Sequence, residues 1–226
     1  MIDSNALVKY TIYASIIVQI ITGILTIDGA FIKLSPKDNI LTQTIRIELV
    51  VQVIEACFYF WVVLAAMQVK NITPRRYIDW IITTPIMLVT TIFYMEYKVG
   101  KTSIIPILKD NKRDIAIILI FNLLMLVVGY FGETGVIPLY ISIPLGFIFF
   151  SVTFGFIYER FAKKSRDGLI LFWLVCGCWS LYGIAAMTPV NIKNISYNIL
   201  DLISKNIYGV FLFWIIKQKQ KELKHN

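Results

Sequence analysis

Apolar residues run through this chain in long stretches and do not alternate with polar ones. Such stretches lie near Ala6–Ile27, Ile45–Val69, Ile78–Phe93, Ile115–Phe131, Val136–Ile157, Leu169–Met187 and Ile195–Ile216. A helix needs about 20 apolar residues to cross the hydrocarbon core of a bilayer. The pattern therefore predicts seven membrane-spanning helices joined by short connections. They use nearly all of the 226 residues, so one domain over 1–226 is expected, with no soluble domain beside it. The first stretch lacks a basic leader and a small-residue cleavage site, which predicts a retained helix and not a signal peptide.

Composition agrees with an all-α membrane protein. The chain is 58% apolar and only 16% charged, with a mean hydropathy of +0.72; a soluble domain of this length needs more polar surface. Charge sets the expected orientation. With the N-terminus outside and the C-terminus cytoplasmic, the inner segments hold Lys33, Lys37, Lys98, Lys101, Lys109, Lys112, Arg113, Arg160, Lys163, Lys164, Arg166 and the lysines of the tail, while the outer ones hold little beyond Lys70, Arg75 and Lys193. That asymmetry matches the positive-inside rule. It also accounts for the net charge of +8, so nucleic acid is not an expected partner. The three cysteines, Cys57, Cys176 and Cys178, fall inside spans, where neither a disulfide framework nor a zinc motif is expected. His225 sits in the tail.

Ionisable groups at membrane depth are unfavourable enough to require a partner or a task. Here they are Glu48 and Glu55 in the second span, Arg76 and Asp79 in the third, and Asp201 and Lys205 in the seventh. Asp201 and Lys205 are four residues apart, hence on one helical face and able to pair; taken alone, such a pair equally suits a plain structural ion pair. Asp79 and Thr83 are also one turn apart, so a hydroxyl is expected to bond that carboxylate. An amine flanked by two carboxylates, with Trp80, Trp179 and Tyr182 to wall a flat apolar ligand, suits a buried cationic Schiff base, because a buried cation needs nearby counter-charge.

At these residues the chain resembles the microbial (type 1) rhodopsins. The resemblance rests on the block R-Y-x-D-W-x-x-T-T-P, from Arg76 to Pro85, and the block L-D-x-x-x-K, from Leu200 to Lys205, on the third and seventh spans, and it covers the whole chain. It implies all-trans retinal bound covalently as a protonated Schiff base on Lys205. It also implies Asp79 as primary counterion and proton acceptor, Asp201 as second counterion, and Arg76 as the arginine that organises charge toward the outside. Trp80, Thr84, Met87, Met125, Trp179 and Tyr182 match chromophore-pocket positions. The chain is expected to be a photoreceptor of the host cell membrane and not an enzyme.

What light would drive is a separate question. Outward proton pumps of this family place a carboxylate eleven residues after the counterion; here that position is Thr90, and a lysine, Lys193, stands where such pumps often carry an outer glutamate. Against this, Glu48, Gln52 and Glu55 form one polar face of the second span, Ser15, Gln19, Thr22 and Thr26 form another on the first, and Asn191, Asn194 and Asn198 lead toward Asp201 on the seventh. Interhelical hydrogen bonding explains many such groups, but less readily two deep glutamates. With second-span glutamates and no inner donor, the chain is similar to the group 1 viral rhodopsins of algal giant viruses, which implies a light-gated cation channel. Glu55 is expected near mid-bilayer, bonded toward Asn198, with Glu48 nearer the inner surface. A light-driven proton pump or a sensory rhodopsin are the alternatives; a chloride pump is disfavoured by Asp79. Expected partners are retinal, monovalent cations and protons, the lipid bilayer and, left open, further copies in a homo-oligomer.

Overall fold

The computed structural model describes residues 4–225; the side chain of His225 lies outside that description. Among the described residues every regular element is helical: α1 (Ser4–Phe31), α2 (Asn39–Leu64), α3 (Ile72–Tyr97), the short α4 (Ile104–Asp110), α5 (Lys112–Glu133), α6 (Leu139–Arg160), α7 (Arg166–Ala185), α8 (Val190–Asp201) and α9 (Tyr208–His225). A π-helical turn, Leu202–Ile207, joins α8 to α9, so the two form one span. Seven spans are long and apolar enough to cross a membrane. With α4 set aside as a loop helix, successive spans alternate in direction. The bundle thus has an N-terminal end, bearing Ser4, Glu133 and Val190, and a C-terminal end, bearing Phe31, Arg160 and the tail.

Two predicted boundaries shift. The second span ends at Leu64, not Val69, because Ala66 takes a left-handed backbone (φ 46°) and its amide and that of Met67 turn back onto Val63 and Val62; the apolar run gave no warning of that turn. The same span begins at Asn39, six residues before Ile45. The third span extends from Val69 to Tyr97, beyond the apolar run Ile78–Phe93; Arg76, which interrupts the apolar pattern, is paired with Asp201 inside the bundle. Pro85 and Pro144 sit within α3 and α6, tolerated where neighbouring helices cover the freed carbonyls. Ser165 caps α7 by accepting from the Gly168 amide, and Pro138 and Pro189 precede α6 and α8.

The bundle is apolar outside as well as inside. Ile17, Ile20, Ile21 and Ile24 of α1 and Trp173 and Leu174 of α7 are exposed, as lipid contact requires. The polar faces predicted on the first two spans turn inward instead: Ser15, Gln19, Thr22, Thr26, Glu48, Gln52 and Glu55 are all buried. Asn194 and Asn198 join them, but Asn191 lies at the surface, bonding Ser4.

Candidate functional site

Lys205 stands on the π-helical turn of the seventh span and is almost fully buried. Its Nζ donates to Asp79 Oδ2 of α3 at 2.5 Å and lies 3.8 Å from Asp201 Oδ1. The amine therefore sits between the two predicted carboxylates, with Asp79 the nearer. The other Asp79 oxygen, Oδ1, has no hydrogen-bond partner.

Asp201 is fully buried and more heavily bonded. Arg76 Nη1 donates to its Oδ2 at 2.6 Å, the Tyr59 hydroxyl donates to the same oxygen at 2.9 Å, and the Tyr182 hydroxyl donates to Oδ1 at 2.9 Å. Arg76 also donates to Tyr59 at 3.1 Å and to Asn198 Oδ1, while Asn198 donates to Thr11 of α1 at 2.7 Å. The result is a lock across α1, α2, α3, α7 and α8 in which two cations face two aspartates. Burial without such pairing would be costly, and removal of one partner of a buried pair typically destabilises by about 3–5 kcal/mol.

Two expected contacts are absent. The Thr83 hydroxyl donates to the Asp79 backbone carbonyl at 3.0 Å and not to the carboxylate, the ordinary back-bond of a helical threonine to the preceding turn. Glu55 does not reach Asn198: both carboxyl oxygens of Glu55 lack a hydrogen-bond partner, because α8 turns Asn198 toward Arg76, Tyr59 and Thr11. Depths change as well. Because α2 begins at Asn39, Glu55 lies roughly 24 Å along it, near the lysine and its aspartates, and Glu48 roughly 14 Å along. Glu48 is fully buried and stands nearer the C-terminal end of the bundle than Glu55 does. It accepts a hydrogen bond from Thr90 of α3. Glu96, at the C-terminal end, pairs with half-exposed Lys164 at 2.6 Å.

Beside Lys205 opens a cavity of about 130 Å³, partly open to the surroundings. All six predicted pocket residues, Trp80, Thr84, Met87, Met125, Trp179 and Tyr182, line it together with Lys205. Trp80 and Tyr182 meet edge to face at 5.5 Å between ring centres. Thr84 is held from both sides, donating to the Trp80 carbonyl and accepting from Asn122 of α5, each at 2.8 Å.

Several neighbours were missed from sequence. Tyr59, one turn beyond Glu55, was the readable one. Asn206, next to Lys205, donates to Thr22 of α1 at 2.9 Å, and Ser204 bonds the Tyr182 hydroxyl at 2.8 Å. Glu133, at the end of α5, pairs with buried Lys193 at 2.8 Å. The N-terminal end thus has a carboxylate after all, delivered from a different helix than the seventh.

Comparison with known proteins gives a consistent result. A family model described as bacteriorhodopsin-like protein matches residues 7–219. The curated green-light absorbing proteorhodopsin of Gamma-proteobacterium EBAC31A08 is 22% identical over 169 residues, which span 66% of this chain and 62% of that protein's length. Among solved structures, the viral rhodopsin OLPVRII is 28% identical with a TM-score of 0.83, covering 94% of this chain and 98% of that one. Xanthorhodopsin, described as a light-driven ion pump with dual chromophore, shares the fold at 21% identity and a TM-score of 0.73, covering 99% of this chain and 97% of that one. With the model spanning nearly its whole length, the chain belongs to the bacteriorhodopsin-like family, the microbial (type 1) rhodopsins, whose name implies a retinal chromophore within seven membrane helices.

Proposed function

We propose that the protein is a retinal photoreceptor in which Lys205 carries the chromophore and light opens a path for monovalent cations. The residues present fit such a group. A long cavity walled by Trp80, Trp179 and Tyr182 ends at the one lysine buried beside two aspartates, and most ligand pockets of this kind combine apolar walls with a few placed polar groups. When bound, retinal supplies absorption and isomerisation, and the protein supplies geometry and charge. Asp79 holds the proton at the Lys205 nitrogen in the dark and is placed to accept it afterwards, its Oδ1 being free of other bonds. Asp201, saturated by Arg76, Tyr59 and Tyr182, contributes fixed negative charge. The proposed orientation keeps the N-terminal end outside, because the basic residues crowd the C-terminal end.

The observation that carries the channel reading is a seam of buried polar side chains between α1, α2 and the seventh span, many of them unpartnered. Ser15 Oγ, both amide atoms of Gln19 and of Gln52, both oxygens of Glu55 and Asn206 Oδ1 have no hydrogen-bond partner. Each such group costs about 1–3 kcal/mol when left unmet in a dry interior, so the seam is built for water or ions. The Asn206–Thr22 bond beside Lys205 is one contact that movement of the seventh span would break. Photocurrent under voltage clamp tests the reading: a channel current reverses sign with voltage and ion gradient, and a current outward at every voltage retires it.

One observation favours a proton pump instead. Thr90, where pumps carry the inner carboxylate, is hydrogen-bonded to Glu48, so α2 places a carboxyl group where α3 lacks one. In that reading Glu48 returns the proton to the Lys205 nitrogen.

A further inference from the structure

The seam is not uniform, and its middle is occupied by one side chain. Gln52 lies four residues after Glu48 and three before Glu55, about 6 Å and 4.5 Å along α2 respectively. It is almost fully buried, yet neither atom of its amide has a hydrogen-bond partner. Two glycines on the flanking helices face it. A methyl group built on Gly209 of α9 would overlap the Gln52 amide nitrogen and stand 3.2 Å from the Thr26 hydroxyl. One built on Gly23 of α1 would stand 3.9 Å from the amide oxygen. The Gln52 amide is therefore seated in a notch between three helices, made by the missing side chain at Gly209 and edged by Gly23 and Thr26.

A glutamine kept for adhesion between helices bonds across the interface; this one bonds nothing. An amide with free donors and an acceptor, buried between two carboxyl groups, is suited to replace water around a passing cation, as backbone carbonyls do in selectivity filters. We propose that the Gln52 amide, seated in the notch at Gly209, is the mid-membrane constriction of the seam, setting how much current passes and which monovalent cations pass. This rests on the reading that the seam conducts.

The test uses the full chain reconstituted with retinal, with photocurrents recorded in sodium and in potassium solutions and the dark absorption maximum as a check on the Lys205 pocket. Gln52→Ala removes the constriction: the passive photocurrent should rise severalfold and the reversal potential should discriminate less between the two cations, with the absorption maximum unchanged. Gly209→Ala leaves the backbone room, since the overlapping atom is the end of a flexible side chain. It pushes the amide into the seam, and the current should fall severalfold, because the narrowed path impedes conduction. The double variant should recover at least the wild-type current, because the new methyl then has nothing to displace. Recovery also separates a constriction from damage to the fold, which a second substitution would deepen. Unchanged current and selectivity in Gln52→Ala, or a double variant no better than Gly209→Ala, overturns the proposal while leaving the channel reading intact. A wild-type protein with no current that reverses with voltage overturns both.

Discussion

Two polar regions lie side by side in this interior and differ in how fully their groups are paired. Around Asp201, Arg76, Tyr59, Asn198 and Tyr182 meet in short, mutual bonds that tie four helices together. Beside them, Gln19, Gln52 and Glu55 are about as deeply buried but bond to nothing. Burial is the same; satisfaction is not. A saturated network resists change, and so suits a fixed field around the chromophore, whereas an unsaturated one accepts whatever polar species enters it. The contrast teaches that burial of a charge or amide does not mark its role; the state of its hydrogen bonds does.

The comparison can be broken most completely at Lys205, which both regions adjoin. Lys205→Ala should abolish retinal binding and visible colour, as read by an absorption spectrum after reconstitution; a spectrum like wild type would refute the chromophore assignment. Next comes Asp79→Asn on the paired side. The amine then keeps only Asp201, 3.8 Å away and shared with Arg76. A red-shifted maximum or loss of colour at neutral pH should follow, whereas an unchanged spectrum would make Asp201 the sole counterion.

On the unpaired side the effects should fall on transport and not on colour. Glu55→Gln keeps the shape of the side chain and should change ion selectivity or passive current with little spectral change, since no bond is lost. Glu48→Gln sharpens the point, because Glu48 does have a partner in Thr90. In a channel it should matter less than Glu55→Gln, and in a pump it should slow recovery of the photocycle by about a hundredfold or more, the scale for loss of a positioned proton donor. Flash spectroscopy beside voltage clamp distinguishes the two.

The smallest effect is expected outside both regions, at Asp38 in the turn before α2. Burial raises its pKa, but bonds from Tyr97 at 2.6 Å and Ser35 at 2.7 Å, with Lys219 and Lys37 near, bring it below the ordinary carboxylate value. A lowered folded-state pKa means stability that is full above the unfolded value and lost as pH falls through the folded one. Asp38→Asn should therefore lower the thermal unfolding midpoint at neutral pH, and its deficit against wild type should shrink on acidification. A deficit that is constant with pH would mean the carboxylate charge is not what Tyr97 and Ser35 hold.

Much of this was legible along the chain. Seven apolar runs sufficed for the architecture, because in lipid every span must satisfy its own backbone and lengths are set by the membrane. The spacing of Asp201 and Lys205 sufficed to put those two on one face, since one helix turn is a local property, whereas the place of Asp79 beside the lysine was implied by the family resemblance. The inward turn of Glu48, Gln52 and Glu55 was likewise readable as one face of a helix.

What only tertiary structure decided is which helix each of those side chains meets. Asn198 was read as a partner for Glu55, but the rotation of α8 gives it to Arg76 and Thr11. The carboxyl group missing at Thr90 comes from α2, and the one missing at Lys193 comes from α5, more than forty positions away in each case. The start of α2 at Asn39, six residues before the apolar run, moves both glutamates by more than a turn from their expected depth. Helical spacing determines what shares a face within one span; the packing of seven spans determines what that face touches, and packing is a property of the whole bundle that no single stretch of sequence encodes.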